Sequence, residues 1–138
     1  MKLLQHFKLS LIQWVGLVLL SLNFWYSGLV IVRSITQYLG WSYFVLVTLC
    51  ALGIPIAFFS IRGVRLMMQL TKEQTHTTVS IITGIVGALH VLSLYYAGAW
   101  YAASGRELVL VCAWLGVFSV TVLLVSYWST GLARTNRK

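Results

Sequence analysis

The sequence predicts an all-α integral membrane protein: four transmembrane helices in an antiparallel up-down bundle, N-in/C-in, with a basic cytoplasmic loop between helices 2 and 3. Three observations carry this. Hydrophobic residues make up 59% of the chain and charged residues only 9%, far from the roughly 25% charged content of soluble domains. Four apolar runs, at about residues 9–32, 42–61, 79–101 and 108–128, each come close to the ~20 residues a helix needs to cross ~30 Å of hydrocarbon. The third observation is the placement of the cations. Lys2, Lys8, Arg62, Arg65, Lys72, Arg134, Arg137 and Lys138 cluster at the termini and the central loop, leaving Arg33 and Arg106 for the other two loops. Cations accumulate on the cytoplasmic side, so both termini and the central loop are expected there. The four spans occupy residues 1–138 as a single transmembrane domain.

Helix 1 follows Lys2 and Lys8 as the core of a signal peptide would, but "LSLIQWVGLVLLSLNFWYSGLV" is too long for one. No alanine precedes Ala51, so an Ala-x-Ala cleavage site is missing and the helix is read as retained. Asn23 shares a helical face with Gly16 and Ser27.

Helix 2 contains the only proline, Pro55, which removes one backbone hydrogen bond and crowds the carbonyl of Ala51, so a kink is expected. Beyond the membrane lies "IRGVRLMMQLTKEQTHTT". If helix 2 continues through it, Arg62, Arg65, Gln69, Lys72, Glu73 and His76 fall on one arc of about 100°. The plain reading of this stripe is a solvated face. The sharper one gives Arg62, Arg65 and Lys72 a role in contacting anionic headgroups or a cytoplasmic partner.

Helix 3 carries His90 within "GIVGALHVLSLYY". On a helix His90 shares its face with Thr83, Gly87 and Tyr101, away from bulky Ile81, Leu92 and Tyr96, and so should point into the bundle. Ser80, Gly84 and Ala88 form a small-xxx-small row that would let a neighbouring backbone approach. Helix 4 aligns Cys112, Ser119 and Ser126. The short connections suggest hairpins, with helices 1 and 2, and helices 3 and 4, as antiparallel neighbours. Aromatic residues such as Trp25, Tyr43, Trp100 and Trp128 collect near the span ends, as interfacial anchors do.

Chemistry is constrained mostly by what is missing. The chain has no Asp, and Glu73 and Glu107 sit in a loop or at a helix end. Paired-carboxylate catalysis and carboxylate-coupled proton transport therefore lack their groups. The small multidrug exporters share the four-helix size but rely on a membrane-embedded glutamate, which this chain lacks. Cys50 and Cys112 do not form a Cys-x-x-Cys pair and are read as buried, inert thiols. No Gly-x-Ser-x-Gly elbow accompanies the serines. The cations form no patch on a soluble module, which argues against nucleic-acid binding.

Counting residues from the cytoplasmic ends places His90, Asn23, Thr48 and Ser119 within about 14–21 Å, a candidate polar layer at mid-membrane. In the structural reading His90 bonds Asn23, Ser119 or a carbonyl and holds helices together. In the functional reading the layer is a path for substrate or protons, since His titrates near neutrality. Haem ligation through His90 is a minor alternative, weakened by the lack of a second mid-membrane histidine; otherwise no cofactor or metal is indicated.

The expectation is thus a small, non-enzymatic, multi-pass protein of the bacterial inner membrane. It would serve as an accessory or interaction subunit whose partners are the lipid bilayer and a membrane protein or a second copy. A small transporter or channel built around the His90 layer is the alternative.

Overall fold

The computed structural model describes residues 9–102 and 104–129. The described chain is helical, in the order α1 (Leu11–Ser34), a π-helical turn (Ile35–Leu39), α2 (Tyr43–Met67), α3 (Lys72–Ala97), a 3-10 turn (Gly98–Trp100) and α4 (Gly105–Ser129). All four long helices are long and apolar enough to cross a membrane. Lys2, Lys8, Arg134, Arg137 and Lys138 lie outside the described residues.

Local sequence explains where the helices start. Ser10 and Thr71 each open a capping box: the hydroxyl accepts from the backbone N–H of Gln13 or Gln74, and that glutamine side chain accepts from the cap's own N–H. Ser42 caps α2 by accepting from the Val45 N–H. Gly40, with φ 67°, ends the π turn in the left-handed region that glycine enters without steric cost. Pro55 lies inside α2, which continues to Met67.

The central segment departs from expectation. Arg62, Arg65, Gln69, Lys72, Glu73 and His76 do not share one helix, because α2 ends at Met67 and α3 begins at Lys72. Between them Gln69 adopts φ 51°, and the N–H groups of Gln69 and Leu70 donate back to Leu66 and Arg65. The chain therefore reverses in a tight turn, and much of the expected basic loop is helix.

Of the two expected hairpins, the one between α3 and α4 forms and the one between α1 and α2 does not. Packing pairs α1 with α3 and α2 with α4, and joins α3 to α4, while α1 and α2 share little contact. The Ser80–Gly84–Ala88 row does not mediate close packing: Gly84 and Ala88 are exposed, and a methyl group on Gly84 would meet nothing. The cysteines are free, but Cys50 is only half-buried and Cys112 is exposed, so neither is the buried thiol expected.

Large apolar side chains cover the outside of the bundle, including Leu19, Phe59, Val91 and Leu124. Hydrocarbon solvates such a surface, so the driving force for association comes from close packing and directional bonds. Inside are two separate cores. One, at the end carrying the α1–α2 and α3–α4 connections, is built on Val32, Ile35, Trp41, Tyr101, Val111 and Trp114. The other, beside the α2–α3 turn, is built on Leu17, Ile61, Val64, Met68, Val79 and Ile82.

Candidate functional site

Between the two cores lies a cavity of about 630 Å³ lined by all four helices. Its size falls within the range of small-molecule sites, about 300–1,000 Å³. The wall is mainly apolar, with members of both cores, Val64, Ile82 and Trp114 among them, facing it. The cavity is only partly enclosed.

His90 is the titratable ring in this wall and is only 5% exposed. Its Nδ1 lies 3.0 Å from the Tyr101 hydroxyl, and the two rings meet edge to face with centroids 5.9 Å apart. Tyr101 is fully buried. The 3-10 turn after α3 brings it back beneath the helix end, where its carbonyl accepts a 2.7 Å bond from the Thr36 hydroxyl. Thr36 in turn accepts from Trp41 Nε1 at 2.9 Å. A chain of bonds therefore runs from Trp41 through Thr36 to the Tyr101 backbone, and from the Tyr101 side chain to His90.

Gly28 on α1 completes the seat. A methyl group at that position would stand 2.8 Å from His90 Nε2, inside van der Waals contact, so the ring fits here because residue 28 has no side chain. One turn away, Trp25 Nε1 donates to Ser93 Oγ at 3.0 Å, which ties α1 to α3 again.

The residues expected to form a polar layer are placed unequally. Asn23, His90 and Ser119 line the same cavity, together with Ser27, Ser60 and Thr83. They are staggered rather than level, since Asn23 lies five residues, or about 7.5 Å, along α1 from Gly28. Ser119 donates to its own helix at Leu115. Thr48 does not join them: it is exposed and donates to the Phe44 carbonyl on α2. The expected partners of His90, Asn23 or Ser119 or a carbonyl, are replaced by the Tyr101 phenol.

Tyr101, Gly28 and Trp114 were not singled out as site residues by sequence. Tyr101 did carry a signal, because it projects onto the His90 face of helix 3. Trp114 stacks on Phe118 at 5.8 Å, and its buried Nε1 has no hydrogen-bond partner. Thr78 Oγ1 is the other orphan among the described residues.

At the α2–α3 turn, Arg62, Arg65 and Gln69 line a separate groove of about 610 Å³ with Thr75 and Leu70. Lys72 is exposed at the first position of α3 and is not part of its lining. His76 is engaged instead with α4, its Nδ1 3.1 Å from Ser126 Oγ and its ring against Tyr127. Among the described residues no three His, Cys, Asp or Glu side chains gather into a metal-binding group. His76 does not line the cavity, so among the described residues His90 has no histidine opposite it there. No protein-family model, curated protein or solved structure matches this chain.

Proposed function

We propose that this chain is a small non-enzymatic subunit of the bacterial inner membrane, with both termini and the α2–α3 turn in the cytoplasm, which holds a lipophilic molecule within its bundle. The cavity between the two cores is the observation that supports this reading. It is too large to be a packing defect, its wall is mainly apolar and drawn from all four helices, and a partly open apolar space of this kind suits hydrocarbon-soluble molecules. The orientation rests on the distribution of Lys and Arg.

Direct measurement is available for each part. Native mass spectrometry of the purified chain, followed by solvent extraction, should release a lipophile in roughly stoichiometric amount, and reporter fusions should place the C-terminus in the cytoplasm. A chain that carries only exchangeable detergent, and whose melting temperature no lipophile raises, would remove the binding role.

A second reading draws on the groove at the α2–α3 turn, where Arg62, Arg65 and Gln69 present donors beside an apolar floor. That chemistry suits an acidic segment of a partner membrane protein or an anionic headgroup. Changing both arginines to Gln should release a co-purifying partner or anionic lipid while the helices remain folded. If the cavity's contents exchange across the bilayer, the same chain is a transporter. Uptake of the extracted lipophile into proteoliposomes separates carriage from storage.

A further inference from the structure

The orientation of His90 specifies what the cavity recognises. Tyr101 is fully buried; Trp25 and Ser93 also approach its hydroxyl, but Trp25 Nε1 can only donate, Ser93 Oγ already accepts from it and donates to Leu89, and the acceptor standing at hydrogen-bond geometry to the phenol is His90 Nδ1, at 3.0 Å. A buried phenol proton left without an acceptor is costly, so the phenol donates and Nδ1 accepts. The imidazole then carries its proton on Nε2.

Nε2 faces Gly28 and finds no hydrogen-bond partner among the described residues. Yet it is not one of the sealed polar atoms, which are Thr78 Oγ1 and Trp114 Nε1. It therefore keeps access to the cavity whose wall it forms. A single N–H donor, held in place from behind and set in an apolar wall, is a specific receptor for one acceptor atom on an otherwise apolar body.

We propose that the cavity selects lipophilic carbonyl compounds, with the carbonyl oxygen accepting from His90 Nε2–H while the hydrocarbon portion fills the space between the two cores. This rests on the reading that the cavity holds a lipophile and names the polar group that lipophile carries. The carbonyl has two natural sources in a membrane, a quinone ring or the ester of an acyl lipid, and the chemistry at Nε2 is the same for both.

The test uses the full chain in nanodiscs and three probes: a short-tailed benzoquinone, a monoacylglycerol, and an alkylbenzene of similar size without oxygen. Calorimetric titration should show at least one carbonyl probe binding about tenfold tighter than the alkylbenzene, the factor expected for one buried hydrogen bond. Preference for the quinone or for the ester identifies the source. His90→Leu should erase the preference, the carbonyl probes then binding no tighter than the alkylbenzene.

Nitrogen NMR of ring-labelled histidine needs no variant. It should find His90 protonated at Nε2 and shifted by the carbonyl probe but not by the alkylbenzene. Equal affinity for all three probes, or a proton on Nδ1, overturns the carbonyl assignment while leaving the lipophile cavity intact. Failure of every probe to bind overturns both.

Discussion

The two cores solve the same packing problem by different means. At the end that carries two connections, aromatic rings are interlocked by directional bonds: Trp41 to Thr36, Thr36 to Tyr101, Tyr101 to His90, with Trp41 and Trp114 6.1 Å apart. Beside the α2–α3 turn the core is aliphatic. Most side-chain bonds there return to their own helix, as from Ser21 to Leu17, Ser80 to His76 and Thr83 to Val79. Bonds that do cross between elements run from Gln13 Nε2 to the Met68 carbonyl at 2.9 Å and between His76 and Ser126. In a bilayer apolar contact discriminates poorly between a helix and a lipid tail, so directional bonds fix geometry. The bonded end holds His90 in place, and the aliphatic end is free to adapt.

The sharpest way to break this contrast is to empty each core in turn. Tyr101→Ala should cost about 3–5 kcal/mol, the range for removing a large buried ring. Leu17→Ala, at a site only 1% exposed in the aliphatic core, should fall towards the lower part of about 2–5 kcal/mol because flexible neighbours can close in. Unfolding by titrated SDS in mixed micelles measures both. A costlier Leu17 variant would reverse the assignment of the rigid end.

Two glycines give a like-for-like comparison. Gly28→Ala places a methyl group 2.8 Å from His90 Nε2, whereas Gly16→Ala places one 3.9 Å from the flexible Met68 side chain. The first should destabilise by about 1–3 kcal/mol and the second should not. Combining Gly28→Ala with His90→Ala should recover much of the loss, since the strain exists only while both groups are present. Additive losses in thermal denaturation would show that residue 28 does not act through the ring.

Smaller effects test the bonds themselves. Trp41→Phe and Gln13→Ala each remove one bond between elements, worth about 0.6–1.7 kcal/mol in membrane proteins. Only the Trp41 variant should also alter the His90 NMR signal, because the Trp41–Thr36–Tyr101 chain ends there. Smallest is Thr78→Val. Its hydroxyl is buried without a partner, so the isosteric change should be neutral or stabilise by up to about 1 kcal/mol. A clear loss would mean the hydroxyl is engaged.

The four spans were legible because hydrocarbon thickness demands long apolar runs, and such runs are hard to miss. The reversal at residues 68–71 was harder to see. Met67, Met68, Gln69 and Leu70 include neither Gly nor Pro, so the cationic spacing around them reads as one helix. The usable signal was Thr71-x-x-Gln74, a capping box like Ser10-x-x-Gln13.

Helix partners were legible only in part: the short connection between α3 and α4 does join neighbours, but connection length says which helices can pair and not which do, and α1 packs on α3 instead of α2. Placement of the polar residues failed for a related reason. Residue counting gives height along a span but not the direction a side chain faces, which is why Thr48 was grouped with His90. Tyr101 lies past the end of α3, so its return to His90 depends on the turn at residues 98–100, whose shape the periodicity of α3 does not encode.

The pairing of α1 with α3 and of α2 with α4 bears on how the chain is made. During synthesis the first two helices enter the bilayer before either has its main partner. They cannot settle as a finished hairpin, and must wait as separate rods until α3 and then α4 arrive. A ribosome stalled after residue 71 should therefore leave a half-chain that quality-control proteases treat as unassembled. A separately expressed second half should rescue it, in the way split membrane proteins reassemble from fragments.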